Sequence, residues 1–437
     1  LTLVHIVMFF GFMALLFLPL FLTEPGGLDG PFDHFTTFAN YAIWGLWFPL
    51  VFLSVIFTGR SWCGLLCPMG AASEWANKIG PQLSIPGWVK WPGTPVTSFL
   101  LVTIWGQTVG VRDYPEAIAI VFGTVLLAAL VLGFFFGRQK RAWCRHMCPI
   151  GLLLGVYSRI GAVDFKPKRP RKGGDKWTEK TACPTMIQLN SKTESRHCIE
   201  CFRCVQPKAK GGLFLRFRKP GEEIETIRDH NPNLSEVVFL FTGTGAALGG
   251  FLWLALDSYQ GLRSWVGNFI IEKGWYWLAE AGPIYLVAAY PERREVLRWL
   301  DFFLISGYML FWTAVLGGVL ALAAAAASWL SGRLGGTGNF RQRFIELGYQ
   351  FTPIAMVSLL LGLGGDLFKN LSYIGLSTDG IALTKAVLFL LSIIWSLWLG
   401  DRLLKRQDLS AGRRWVTLIP GVLGSLVVGA AWYPAIF

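Results

Sequence analysis

Long apolar runs restrict what this chain can fold into more than any other feature of it. A run of about 18 or more apolar residues is long enough to cross a bilayer as a helix, and a helix satisfies its own backbone there. Nine such candidates stand in the sequence: roughly 1–23, 37–58, 97–112, 116–136, 235–256, 301–328, 347–368, 382–400 and 416–434. The third is short and interrupted by Gln107. The first is too long for the core of a signal peptide, and neither a basic n-region nor a small-residue cleavage site accompanies it, so it reads as a span. The pattern predicts an all-α polytopic membrane protein of about nine transmembrane helices.

The charge is placed unevenly. Residues 137–234 carry 21 Lys and Arg against 9 Asp and Glu, nearly all of the net +13 of the chain. Basic loops of membrane proteins stay in the cytoplasm. The loop 401–415 is also basic, with Arg402, Lys405, Arg406, Arg413 and Arg414, whereas 24–36 has no Lys or Arg. One topology fits all three: N-terminus inside, 137–234 inside, C-terminus outside. This bias accounts for the basic segment, so no nucleic-acid partner is expected.

Two stretches repeat each other. Trp62, Cys63, Cys67, Pro68 and Gly70 match Trp143, Cys144, Cys148, Pro149 and Gly151 as Trp-Cys-x3-Cys-Pro-x-Gly, and each copy follows the second or fourth predicted helix. Lys78-Ile79-Gly80 and Arg159-Ile160-Gly161 then recur at the same distance. Residues 1–164 therefore read as duplicated transmembrane hairpins, each ending in a cysteine loop. The spacing predicts two thiols one helical turn apart on one face. Proline suits the first position of a new helix, whose dipole is expected to lower the thiol pKa. Arg60, Arg138, Arg141 and Arg145 are candidates to offset thiolate charge. If the copies pack about a pseudo-twofold axis, Cys63, Cys67, Cys144 and Cys148 converge on a second cluster or another thiolate-bound metal. The reducing side of the membrane disfavours disulfides, and covalent c-type haem needs Cys-x-x-Cys-His, which is absent.

The other four cysteines lie in a polar segment, 165–232. Cys198, Cys201 and Cys204 are spaced Cys-x2-Cys-x2-Cys. In bacterial ferredoxins that run continues x3-Cys-Pro, and its fourth cysteine serves the other cluster. Here Lys208 stands in that place, while Cys183-Pro184 stands upstream with Gly173, Lys176 and Glu179 where its three companions belong. The first motif has kept only its last cysteine and the second only its first three. In the swapped arrangement those four serve one centre, so a small cytoplasmic ferredoxin-like segment with one [4Fe–4S] cluster on Cys183, Cys198, Cys201 and Cys204 is expected. A zinc site is the rival reading of the same residues.

The two Gly-Arg…Trp-Cys-x3-Cys-Pro loops and the ferredoxin-like segment resemble the polytopic membrane iron–sulfur proteins of the NapH/NosR type, best over 37–210. The resemblance implies an oxidoreductase component, a quinol dehydrogenase-like electron-transfer subunit in the bacterial inner membrane. It implies transfer between the quinone pool, or a cytoplasmic donor, and partner redox subunits of a larger complex. A branch of the family handles copper for oxidase assembly, which makes metal handling the alternative. The chain departs from the family in having cysteines for one ferredoxin cluster only, and no flavin-binding domain is recognisable.

The resemblance does not reach 233–437, read as a C-terminal bundle of about five helices with an outer aromatic loop at 257–300. That loop suits a membrane-interface belt or a docking surface. No histidine follows His230 and only His5 lies in a predicted span, which disfavours a haem-b site. Glu346, Tyr349, Gln350 and Asp366 are candidates for a quinone pocket, although groups near helix ends also simply face water. "GTGAALGG" (243–250) lies inside a predicted span and suits close helix packing, not nucleotide binding.

Overall fold

The computed structural model describes all residues except 27–28, 139, 169–182, 206–211, 254–255 and 292–294. Gly173, Lys176, Glu179 and Lys208, which stand in the lost cysteine positions, lie outside the described residues.

The chain is a multi-pass helical membrane protein. Helices α1 (Thr2–Phe17), α2 (the span Phe35–Thr58, π-helical over Tyr41–Trp47), α3 (Ser61–Leu65) and α4 (Pro68–Ile79) form the first hairpin unit. Helices α5 (Thr94–Thr108), α6 (Pro115–Phe135), α7 (Ala142–His146) and α8 (Pro149–Tyr157) form the second. Strands β1 (Val163–Pro167) and β2 (Leu213–Phe217) pair antiparallel and frame the cysteine segment between them. The C-terminal half holds α9 (Leu234–Leu252), α10 (Asp257–Lys273), α11 (Trp299–Arg333), α12 (Phe340–Gly348), α13 (Thr352–Leu363), α14 (Thr378–Arg406) and α15 (Ala411–Ile436).

All nine expected runs are helical. Seven helices among the described residues are long and apolar enough to cross a membrane. The exceptions are α5, with 15 residues, and α9, whose apolar stretch Leu234–Gly250 is shorter than the rest. At about 1.5 Å per residue both are shorter than the seven, and they pack against each other through Phe99 and Phe239, ring centroids 5.1 Å apart.

The cysteine loops, the strands, and the start of α9 share one end of the bundle. The opposite end, the far face below, carries the loop after α5, the exposed α10 with Trp265 and Phe269, and the start of α14. The centre of the C-terminal half is the α12–α13 pass, the most enclosed span. In α9, Gly245 lies on α11: an added Cβ would clash with the Trp312 carbonyl oxygen and stand 2.7 Å from the Thr313 Cα. The small-residue stretch thus serves close packing, as its composition suggests.

The polar segment is bolted to both halves by buried charges. Arg159, fully buried, donates to Glu223 at 2.7 Å and to Glu236 of α9 at 2.7 Å. Arg196 also reaches Glu236, at 2.9 Å, Arg218 reaches Glu223 at 2.5 Å, and Lys192 reaches Asp164 at 3.0 Å. Burial alone would raise the Glu223 carboxyl, but Arg159 and Arg218 outweigh it and hold it at about 2. Lys78, the counterpart of Arg159 in the first copy, is exposed. The duplicated units have diverged where only the second must meet the C-terminal half.

Candidate metal centres

The two cysteine loops reproduce each other bond by bond. In both, the second cysteine N–H donates to the tryptophan carbonyl at 2.9 Å (Cys67 to Trp62, Cys148 to Trp143). In both, its sulfur caps the next helix, accepting from Gly70 N–H at 3.4 Å and from Gly151 N–H at 3.2 Å. Pro68 and Pro149 occupy the first helical turn, as expected. The pair does not lie on one helical face. Cys63 belongs to α3 and Cys67 caps α4, with the same split at Cys144 and Cys148, because a proline that starts a new helix breaks the old one.

The four sulfurs line one cavity of about 90 Å³, walled by Phe48, Trp62, Met69 and Trp143. The copies interlock across it. Gly70 of the first lies against the Arg141 guanidinium and the Cys144 sulfur, and Gly151 of the second lies against Arg60. Arg141 donates to Cys63 O at 3.0 Å, and an Arg60 nitrogen is 3.9 Å from the Cys63 sulfur. Both arginines are buried. The other two candidates sit elsewhere. Arg138 is exposed, and Arg145 donates to the Thr185 and Met186 carbonyls.

Cys67 and Cys144 are raised, against the lowering expected at a helix start. Burial pushes Cys67 up to about 12 and Cys144 up to about 11, with the neighbouring thiols adding to the Cys67 shift. Desolvation outweighs a helix terminus where apolar walls surround the thiol. A metal must therefore displace protons to bind here.

Cys183, Cys198, Cys201 and Cys204 surround a second, smaller cavity of about 20 Å³, closed by Phe165, Leu189, Ile199 and Leu213. Ile187 N–H donates to the Cys183 sulfur at 3.4 Å. Burial raises Cys198 and Cys201 and pushes Cys204 up to about 12. Glu200 is enclosed beside them, and burial pushes its carboxyl up to about 8.

Soft thiolates converging from separate segments, apolar walls and N–H donors to sulfur suit an iron–sulfur cluster at each site. Among the described residues, no three Cys, His, Asp or Glu side chains gather closely enough for a single ion. A lone tetrahedral zinc draws its sulfurs to about 3.8 Å of one another. A cluster binds each cysteine to a separate iron.

The two sites touch. Gly64, between Cys63 and Cys67, packs on the backbone of the other set: an added Cβ would clash with Ile199 O and stand 2.8 Å from Cys201 N. Arg60 donates to Arg196 O. Lys140 Nζ donates to Cys183 O at 2.8 Å, and Arg141 N–H to Pro184 O at 2.7 Å. Glu74 joins the sets: it accepts from Arg141 at 2.7 Å and from Arg203, between Cys201 and Cys204, at 2.7 and 3.0 Å. Burial would raise Glu74, but Arg203 and Arg141 outweigh it and hold it at about 2. Sequence reasoning missed Glu74, Arg203 and His5, whose ring lies 3.2 Å from Gly64 O. Each is an ordinary residue whose partner is remote in sequence.

In the C-terminal half, Glu346 does not face water. It is buried and paired with Arg228 at 2.8 Å and with Gln407 at 3.1 Å. Tyr349 and Gln350 are buried as well, and Gln350 wedges between Gly400 and Gly421. None of the three lines the apolar slot that runs from Cys148 and Pro149 past Phe48 to Gln107.

Two family models match separate parts of the chain. A family model described as a 4Fe-4S binding domain matches residues 42–86 and 118–172, which carry Cys63, Cys67, Cys144 and Cys148. A Yip1 domain model matches 216–433. An uncharacterised protein of Methanocaldococcus jannaschii, MJ0749, is 27% identical over 37% of this chain and 66% of its own length. The regulatory protein NosR of Pseudomonas aeruginosa is 24% identical over 36% of this chain and 26% of its own. The ferredoxin-type protein NapH of Escherichia coli is 24% identical over 33% of this chain and 58% of its own. The matched stretch thus spans between about a quarter and two thirds of these relatives. No solved structure matches. By its duplicated cysteine hairpins, the chain is similar to the NapH- and NosR-type ferredoxin-type membrane proteins, and a Yip1 domain model matches the part behind them.

Proposed function

We propose that this chain is a membrane electron-transfer subunit with two adjoining iron–sulfur sites. Cys183, Cys198, Cys201 and Cys204 would hold one [4Fe–4S] cluster, and Cys63, Cys67, Cys144 and Cys148 a second. Such clusters supply one-electron transfer at a potential set by charge, hydrogen bonds to sulfur and exposure. The observation that carries the reading is the direct backbone contact of Gly64 with the Ile199–Cys201 stretch. A protein that only stored metal would not need its two thiol sets fused.

The chain's own residues set the conditions. Arg60 and Arg141 bring buried positive charge to the Cys63, Cys67, Cys144 and Cys148 site at the membrane side, and Lys140 and Arg145 hold the Cys183–Met186 segment against it. An apolar slot of about 120 Å³ leads from Cys148 and Pro149 past Phe48, Phe99 and Phe122 to Gln107 and Arg112. Its apolar walls and few polar groups suit a quinone ring. The basic segment supports a cytoplasmic position for the cysteine end in a bacterial inner membrane. A partner redox subunit would complete the transfer on one side.

Iron content and EPR of the reduced, anaerobically purified chain test the proposal. About eight irons per chain are expected, falling to about four in both Cys183→Ser and Cys144→Ser. About four irons in the unaltered chain and in Cys144→Ser would remove the second cluster. Copper bound at the membrane-side site would replace electron transfer with metal handling.

A further inference from the structure

A large cavity has no role in the reading above. It lies at the far face, holds about 800 Å³, and is bounded by all three regions that meet there: Asn40, Gln107 and Arg112 from the hairpins, Leu297 from the outer loop, and Asp366 and Lys385 from the C-terminal half. The volume falls in the range of small-molecule sites and far exceeds what one water or ion needs.

Its charge is unbalanced in a specific place. Lys385 is the sole charged residue of α14 between Asp379 and Asp401. A lysine within an apolar span is costly, and normally faces an opposite charge or a watery cavity. No carboxylate of the described residues pairs with it. Its charged neighbour is another cation, Lys369, and its ammonium rests 5.7 Å from the Phe368 ring. Lys369 and Arg112 both lean on Asp366, at 3.1 and 3.4 Å. The cavity wall thus brings three cations together with two carboxylates, Asp113 and Asp366, and the excess sits on the Lys385 side.

We propose that this cavity binds a phosphate- or carboxylate-bearing anion, held by Lys385 and Lys369 with Arg112 closing the inner side. The bound anion offsets the ammonium of Lys385, which lies within an apolar span beside a second cation. Two sources present this chemistry: the headgroup of an anionic phospholipid from the adjacent leaflet, and a small free anion from the aqueous side.

The experiment uses the full chain, delipidated in detergent. Native mass spectrometry counts retained phosphatidylglycerol against zwitterionic phosphatidylcholine, and calorimetry measures inorganic phosphate and succinate. The expected result is one site that prefers the anion, weakened at least about tenfold in Lys385→Gln. Lys369→Gln weakens it too. Lys369 is 81% exposed, so that variant keeps its fold and its unliganded melting midpoint. Selective retention of phosphatidylglycerol identifies a lipid; binding of phosphate or succinate alone identifies a soluble ligand. Failure of the unaltered chain to bind either, or unchanged affinity in both variants, overturns the proposal.

Discussion

Glu74 shows how a single side chain can be decisive and still unreadable in the sequence. It is an unremarked acid in "AASEW", yet it neutralises Arg141 of the second loop and Arg203 of the ferredoxin-like segment together. Glu74→Gln leaves a fully buried guanidinium short of its partner, and removing one member of a buried pair costs about 3–5 kcal/mol. We expect a matching fall in stability and loss of iron from both sites, read by thermal melting and iron assay. The sign of the pH effect follows from the carboxyls of Glu74 and Glu223, each held at about 2 against an ordinary 4.5. Unfolded, both take up a proton near 4.5. Their stabilisation is therefore complete above that value and is lost as pH falls toward 2. Melting midpoints should drop over this acid range, with a shallower slope in Glu74→Gln. The eight cysteines, by contrast, were legible, because thiol spacing and Cys-Pro pairs are local. The pKa direction of Cys67 was not: a proline-started helix can be read from sequence, but its desolvation depends on the second copy, with Trp143 and Cys144, closing over it.

At the scale of elements, hydropathy placed all nine helical runs, since membrane passage is written into composition. It could not tell that Pro68 and Pro149 divide each cysteine pair between two helices, nor that Lys78 and Arg159 have opposite fates. Close approaches are the other hidden term. Gly64→Ala pushes a methyl into Ile199 O, and neither backbone can yield without opening the junction of the two sites. Overpacking of this kind costs about 1–3 kcal/mol. We expect normal membrane insertion but weakened magnetic coupling between the two reduced centres by EPR. Gly245→Val should act on α9 and α11 instead. It forces α9 off the Trp312 carbonyl, lowering the melting midpoint while leaving iron content per folded chain unchanged.

The two halves of the molecule share one apolar core and are joined at the cysteine end by buried charge pairs. Arg159 and Arg196 from the cysteine half meet Glu236 from the C-terminal half, with Glu223 between them. Glu236→Gln should loosen the halves, exposing the 218–233 connection to limited proteolysis that the unaltered chain resists. This joint was invisible in the sequence, because 77 positions separate Arg159 from Glu236. The interlocked hairpins carry a different consequence, one of timing. Arg141 supports Cys63, and Arg60 lies on Gly151, so neither copy finishes its own half of the membrane-side site. During synthesis the first pair of thiols leaves the ribosome about eighty residues ahead of the second. The maturation machinery of the cell therefore has a half-built site to guard until the second loop is inserted, and a ribosome stalled between the two loops should yield a membrane-embedded chain that takes up no iron.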